Sequence, residues 1–285
     1  MLIGEFWGTS DAAGIPAPFC VCDVCREARE KGGRYQRTRS CFRLSDKVML
    51  DLGADAVSQS MKYGDICDVE HVLVTHTHDD HLNPHMMMET GWTKTKNTTL
   101  NYYFTDKAYD IADRWRDSDW MIKGGTKILE ANGKVAFHKL EYGIPSIVDG
   151  MTVIPFRGNH LGNVHENSAM YLIALPDGRT LFYGLDSGYY EEETIKALSE
   201  HKIDIFITEA TCGIRHIENY PYHMDIYSVR KLVDVLTDQG TLTNESRIYL
   251  THINHSTSHS QMEKAVEELK FPIHTEVAYD GMKIL

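Results

Sequence analysis

Apolar residues recur along this chain mostly as short runs bounded by glycine and polar clusters, the pattern of strands, with helical spacing between some of them. The first run, Leu2 to Trp7, leads into a turn-rich stretch from Gly8 to Pro18. Val48 to Leu52 reads as a strand closing in Asp51-Leu52-Gly53, and residues 54–63 read as a helix. Val72 to Val74 is the apolar end of another strand. The middle section, roughly 84–139, mixes helical patterns (86–92 and 109–121) with a strand at Leu100 to Phe104. Strand-like runs then recur at Met151–Phe156, Ala169–Ala174, Thr180–Gly184, Ile203–Ile207 and Arg247–Leu250, with helical spacing over 224–238 and 260–269. Strands lead each half and helices come between and after them, which predicts an α+β chain of two sheets packed together under helices. No repeat, low-complexity tract or Pro/Gly/Ser linker divides it, so a single domain spanning 1–285 is expected.

Composition narrows the functional classes. With 42% hydrophobic and 25% charged residues a sizeable core can form, which excludes disorder of the whole chain. The net charge of −12, from 29 basic and 41 acidic residues, argues against a nucleic-acid partner, which a basic field would meet. A small phosphorylated substrate held by a few local Arg or Lys residues is compatible with it. No apolar stretch approaches the roughly 20 residues that cross a bilayer, so no membrane partner is expected. The N-terminal stretch lacks a basic segment followed by an apolar one, so no secretory signal is expected and a cytoplasmic location follows. In that reducing compartment six Cys do not predict a disulfide framework, and clustered Cys point toward metal.

The densest chemistry is His76-Thr77-His78-Asp79-Asp80-His81, directly after an apolar strand. Imidazole and carboxylate suit divalent Zn, Mn or Fe, and a strand end holds such donors rigidly. A solvated polar loop is the plain alternative, but the density of donors weighs against it. The string matches the HxHxDH signature of the metallo-β-lactamase superfamily. The remainder of that pattern follows in order: Asp51 and Gly53 before the cluster, Gly158-Asn159-His160, Leu185-Asp186-Ser187-Gly188, and Leu250-Thr251-His252. The resemblance covers nearly the whole chain, weakest over about 85–150, and implies the αββα four-layer sandwich of that superfamily. It further implies that His76, His78 and His160 hold one divalent ion and Asp80, His81 and His252 another, with Asp186 bridging. Singly, His160 and His252 would be read as ordinary core or surface histidines. Asp51 is expected to orient a ligand histidine rather than bind metal, and Asp79 and His85 to face solvent. Two ions about 3.5–4 Å apart bring water to a nucleophilic state near neutral pH, so hydrolysis by a metal-bridging hydroxide is the expected chemistry.

Cys20, Cys22 and Cys25 place three thiols at CxCxxC spacing, which reads as part of a structural zinc site in a small insert at about 16–33. A fourth ligand must come from elsewhere, and His255, three residues beyond His252, is the candidate. Cys41, Cys67 and Cys212 stand alone and read as fillers. Further stretches sharpen the resemblance: Gly8-Thr9-Ser10, Gly14-Ile15-Pro16, Arg26, Arg37–Cys41, Tyr222-His223-Met224-Asp225, Leu250–His255 and Tyr279-Asp280-Gly281-Met282. Together with the Cys cluster they look like the cyclic-phosphate phosphodiesterases of the bacterial phosphonate-degradation (carbon–phosphorus lyase) pathway. That resemblance implies a structural zinc on Cys20, Cys22, Cys25 and His255. It also implies His223 and Asp80 as catalytic residues, with His223 the general acid, and two active-site Zn or Mn ions. Its substrate would be phosphoribosyl 1,2-cyclic phosphate, opened to ribose 1,5-bisphosphate. The chain departs from the family at Thr9-Ser10, where a second glycine is usual, and in a longer middle section. The alternatives are another ester or an RNA phosphodiester on the same centre, or a non-hydrolytic cofactor-biosynthesis protein resembling the pyrroloquinoline-quinone pathway member. The complete metal cluster favours catalysis, and homodimerisation is left open. Met86–Met88 and Glu191–Glu193 are read as core filler and a solvated face.

Overall fold

The apolar runs are continuous rather than alternating because most strands are covered on both faces. Ser168 to Ile173, for example, are all buried. In the computed structural model, which describes residues 1–116, 125–217 and 220–285, the strands form two sheets. The first contains β1 (Leu2–Gly8), β2 (Cys41–Ser45), β3 (Val48–Leu50), β4 (His71–Leu73), β5 (Leu100–Thr105) and β6 (Val135–Leu140), in that spatial order. The second contains β7 (Ser146–Val148), β8 (Met151–Leu161), β9 (Asn167–Ala174), β10 (Thr180–Gly184), β11 (Ile205–Glu209), β12 (Arg247–Thr251) and β13 (His274–Val277), again as consecutive neighbours.

Pairing switches from antiparallel to parallel along each sheet. In the first, β1–β2–β3 are antiparallel and β3–β4–β5–β6 parallel. In the second, β7–β8–β9–β10 are antiparallel and β10–β11–β12–β13 parallel. Every parallel step needs a crossover, and helices supply them. α1 (Asp23–Lys31) precedes β2. α2 (Ala56–Tyr63), α3 (Pro84–Thr93), and the pair α4 (Asp106–Arg116) and α5 (Lys127–Ala131) serve the first sheet. α6 (Glu192–Leu198), α7 (Ile226–Asp238) and α8 (His259–Leu269) serve the second. The helical pattern expected over 109–121 is α4 as far as Arg116, and residues 117–121 lie outside the described residues.

Three apolar layers follow. Phe42, Leu50, Leu73, Val153, Tyr171, Tyr183 and Ile207 fill the space between the sheets. Met170, Phe182, Phe206 and Leu250 meet Val229, Leu232, Val233 and Met262 of α7 and α8. Val72, Val74, Tyr102 and Phe104 meet Met87, Met88, Ala108 and Leu129 of α3, α4 and α5. At roughly 1.5–3 kcal/mol for each fully buried large side chain, these layers hold the strand ends in fixed relation. The architecture is the expected αββα sandwich. Among the described residues no helix is long and apolar enough to cross a membrane.

Candidate metal centre

Parallel strands deliver their C-terminal ends to one edge of a sheet. β3 and β4 do so in the first sheet, and β10, β11 and β12 in the second. β8 is antiparallel to β9, which is antiparallel to β10, so β8 leaves on the same side as β10. Asp51 follows β3, the His76–His81 loop follows β4, His160 sits near the end of β8, and Asp186 and His252 follow β10 and β12. Asp51, Asp186 and His252 are all left-handed, with φ of 61°, 47° and 55°. Such a backbone costs on the order of 1–3 kcal/mol at a non-glycine residue and persists where the surroundings enforce it. Gly53 lets the chain after β3 press on the ligand loop, since a Cβ there would lie 2.2 Å from the Asp80 carbonyl oxygen.

The ligand-type atoms converge. His76 Nε2 lies 3.0 Å from His78 Nδ1, and His160 Nε2 lies 3.4 Å from the same atom. His81 Nε2 is 3.3 Å from Asp80 Oδ2 and 3.3 Å from His252 Nε2. Asp186 joins the two groups: Oδ2 lies 3.4 Å from His76 Nε2 and 3.2 Å from His81 Nε2, and Oδ1 lies 2.8 Å from His252 Nε2. Thus His76, His78 and His160 form one set and Asp80, His81, Asp186 and His252 another, the atoms of each within 4.8 Å of one another. All except His78 are buried. Despite its close neighbours, Asp186 Oδ1 is a buried oxygen without a hydrogen bond. Imidazole nitrogens and carboxylate oxygens brought from four strand ends to within a few ångström of one another are the donor set that divalent cations take, so these residues fit a metal pair.

Electrostatics in the bare protein follow burial and the carboxylates. Burial pushes the His76 pKa well below the histidine range and that of His160 down to about 4. At His81 and His252 burial also opposes charging, but Asp186 and Asp80 outweigh it, raising His81 well above its usual value and His252 to about 10. Burial works against ionisation of Asp186, yet His252 and His81 hold its pKa well below the carboxylate range. Asp51 stands behind the His81 ring: its Oδ2 lies 2.7 Å from His81 Nδ1 and its Oδ1 accepts from Thr75 N at 2.8 Å. Asp79 is exposed and pairs with Arg39, and His85 pairs with Glu89 one turn along α3.

The second expected cluster also assembles. Cys22 Sγ and Cys25 Sγ lie 3.8 and 3.6 Å from His255 Nδ1, and Cys20 completes a set within 4.8 Å. A tetrahedral zinc with Zn–S about 2.3 Å and Zn–N about 2.0–2.1 Å sets sulfur and nitrogen about 3.6 Å apart, so these donors fit one.

Against known proteins, the profile of the β-lactamase superfamily domain matches residues 47–253, well over half of the chain. The chain belongs to the β-lactamase superfamily. Among solved structures, it resembles a diphosphatase of the PhnP family (18% identity, TM-score 0.73, covering 100% of this chain and 98% of the other). It also resembles zinc-bound PqqB from Methylobacterium extorquens (15% identity, TM-score 0.76, 100% of both chains). Human short-form tRNase Z is similar too, at 16% identity and TM-score 0.62 over 100% and 99% of the two chains. At these identities the likeness is one of fold, the metallo-β-lactamase sandwich. No curated protein matches the chain in sequence.

In this superfamily member the structure also brings in residues not singled out from the sequence. Glu209, fully buried at the end of β11, has Oε1 3.1 Å from His223 Nδ1. Its carboxylate also accepts from the backbone N–H of Ser187, Thr211 and Met224 and from the Thr211 hydroxyl. Glu209, His223 and His252 make a third grouping of ligand-type atoms, but those donors leave the Glu209 carboxylate little capacity for an ion. Burial disfavours charge on His223, and Glu209 more than offsets it, so the His223 pKa is raised. The His223 ring lies 4.7 Å from that of His160 and 5.8 Å from that of His252, at the mouth of the centre. Thr211 Oγ1 is 2.8 Å from His252 Nδ1 and fixes that ring. Glu166 and Asn163 clamp Thr77, between His76 and His78, through Thr77 N to Glu166 Oε1 (2.8 Å) and Asn163 Nδ2 to Thr77 O (2.7 Å). The only sequence signal for Glu209 is an acid closing the apolar strand Ile205–Glu209; Glu166, in a polar loop, has none.

Proposed function

We propose that this chain is a metal-dependent phosphodiesterase acting on a small cyclic phosphate such as phosphoribosyl 1,2-cyclic phosphate. Seven imidazole and carboxylate side chains from four strand ends, meeting beside a histidine backed by a buried glutamate, carry that reading. His76, His78 and His160 would hold one ion, and Asp80, His81 and His252 the other, with Asp186 between them. Two divalent ions, zinc or manganese, supply activated water near neutral pH and stabilise charge on phosphoryl oxygens. Cys20, Cys22, Cys25 and His255 would hold a structural zinc.

His223 would complete the reaction. Its Nδ1 is held by Glu209, which leaves Nε2 to deliver a proton. As water adds to phosphorus, the bond to the ring-closing sugar oxygen breaks and that oxygen takes the His223 proton. General-acid assistance is worth about 10²–10⁴ in rate, most for poor leaving groups. The test combines elemental analysis with turnover of 1,2- and 3′,5′-cyclic phosphates and bis(p-nitrophenyl) phosphate. His78→Ala and Asp186→Ala are expected to reduce all hydrolysis to background with the fold intact by circular dichroism. His223→Ala should slow sugar leaving groups far more than p-nitrophenolate. Full activity in either ligand variant would overturn the dinuclear assignment, and an equal loss across leaving groups would remove His223 as the acid.

A further inference from the structure

A cleft of about 400 Å³ opens beside His223, its walls including Asp11, Cys212, Arg215, Tyr220, Asn254 and Ser256. The backbone around it is fixed from several sides. Arg215 N donates to Cys212 O at 3.1 Å, Cys212 N to Met224 O at 3.0 Å, and Ile214 N to Thr257 Oγ1 at 3.2 Å. Asp225 caps α7 through Ser228 N, and its other oxygen accepts from Ile217 N at 3.0 Å and meets His216 Nδ1 at 3.0 Å. Another wall is equally tied: Asp11 accepts from Ala13 N and from Asn254 Nδ2, and Asn254 Oδ1 accepts from Ser256 N at 3.0 Å. The Asp11 carboxylate is therefore satisfied within the wall.

Two of the cleft's polar groups have no partner among the described residues. Ser256 Oγ is buried with no hydrogen-bond partner. Arg215 is exposed, and its guanidinium makes no hydrogen bond or ion pair among the described residues. Several other arginines of this acidic chain are tied down: Arg39 by Asp55, Arg179 by Asp177, Arg230 by Asp234, and Arg37 by the Ala278 carbonyl. A guanidinium with no partner among the described residues, on a backbone held at Cys212 and Ile214, offers a fork for an oxyanion. A phosphate monoester offers three acceptor oxygens, enough for that fork and the orphan serine hydroxyl together.

We infer that the cleft is the leaving-group subsite, and that Arg215 with Ser256 reads a phosphate monoester carried by the departing alcohol. The inference rests on the reading of His223 as the proton donor, because that ring is part of the cleft wall. Tyr220, 40% exposed with its ring 6.1 Å from that of His223, offers an apolar surface for the sugar between the two anionic ends.

The test compares ribose 1,2-cyclic phosphate with and without a 5-phosphate, using wild type, Arg215→Ala and Arg215→Lys loaded with metal. A charge-assisted fork corresponds to a preference on the order of 10–100-fold for the 5-phosphorylated diester, expressed mainly in KM. Arg215→Ala should collapse that preference to near unity, and Arg215→Lys should keep part of it. Calorimetric binding of ribose 5-phosphate against ribose gives a readout free of turnover. A preference that survives Arg215→Ala, or none in the wild type, overturns the subsite while hydrolysis itself stands. Arg215-dependent binding of ribose 5-phosphate with neither diester hydrolysed would instead overturn the phosphodiesterase reading and leave the anion subsite in place.

Discussion

Glu209 does more for the centre than its silence in the sequence suggests. It gathers three backbone amides and the Thr211 hydroxyl, and through them fixes the turn after β10, the start of the loop after β11 and the tautomer of His223. Glu209→Gln replaces an acceptor oxygen with a donor facing those amides and removes the charge that favours protonated His223. Turnover of sugar leaving groups is expected to fall by one to two orders of magnitude with KM little changed, a part of the roughly 10²–10⁴ attributable to general-acid catalysis. The double variant with His223→Ala should be no slower than His223→Ala alone, because residues acting as one unit are not additive. Losses that multiply would mean that Glu209 acts elsewhere. The candidate ligands that the fold gathers were legible beforehand because a metal site needs specific donor types at strand ends, which leave a spaced signature. Glu209, Glu166 and Thr211 were not, because orienting a ligand can be done by many polar residues from any neighbouring loop.

At the scale of elements, legibility followed burial. Strands covered on both faces, such as β9 and β11, stand out as apolar runs, whereas β6, β7 and β13 are sheet edges and were missed. Edge strands are short and carry polar residues that blunt association; His138 and Lys139 of β6 are exposed. β2 was hidden by Arg43 at its centre, whose guanidinium lies 5.4 Å over the Trp7 ring, so its stem is covered by apolar surface. α1 was missed for another reason: its apolar face is small, and its N-cap Cys22 makes no side-chain capping bond. The start of this helix lies instead within the Cys20, Cys22, Cys25 and His255 cluster. Under the structural-zinc proposal, Cys22→Ala should lower the zinc content by one ion per chain and Tm by about 5–10 °C, a few kcal/mol at this size. Occupancy of the other sites should not change. An unchanged zinc count by elemental analysis would remove the structural-zinc site.

The whole molecule places a cluster of buried titratable side chains where its two sheets meet, with candidate ligands drawn from the end of β4 on one side and of β8, β10 and β12 on the other. Bound ions would therefore cross-link the sheets, and chelation should unfasten them. Ligand bound at about 1,000 times its Kd contributes about 4.1 kcal/mol, so chelation is expected to lower Tm by roughly 10 °C, at about 2–4 °C per kcal/mol for chains of this size. The deficit should depend on pH with a definite sign. In the bare protein His81 and His252 have raised pKa values, the latter about 10, so their protonated forms neutralise Asp80 and Asp186. A group raised in the folded state stabilises it fully below its unfolded pKa near 6.5, and that stabilisation disappears as pH climbs through the folded value. His76 and His160 are depressed, so their influence falls below pH 6.5 and does not oppose this trend. The chelated protein should consequently lose stability steadily between about pH 6.5 and 10, and the gap in Tm between metal-loaded and chelated samples should widen across that window. Calorimetric scans of both forms at pH 6.5, 8 and 9.5 measure it; a gap that stays constant or narrows would show that the imidazoles and carboxylates of the rim do not share their charge in the way their spacing requires.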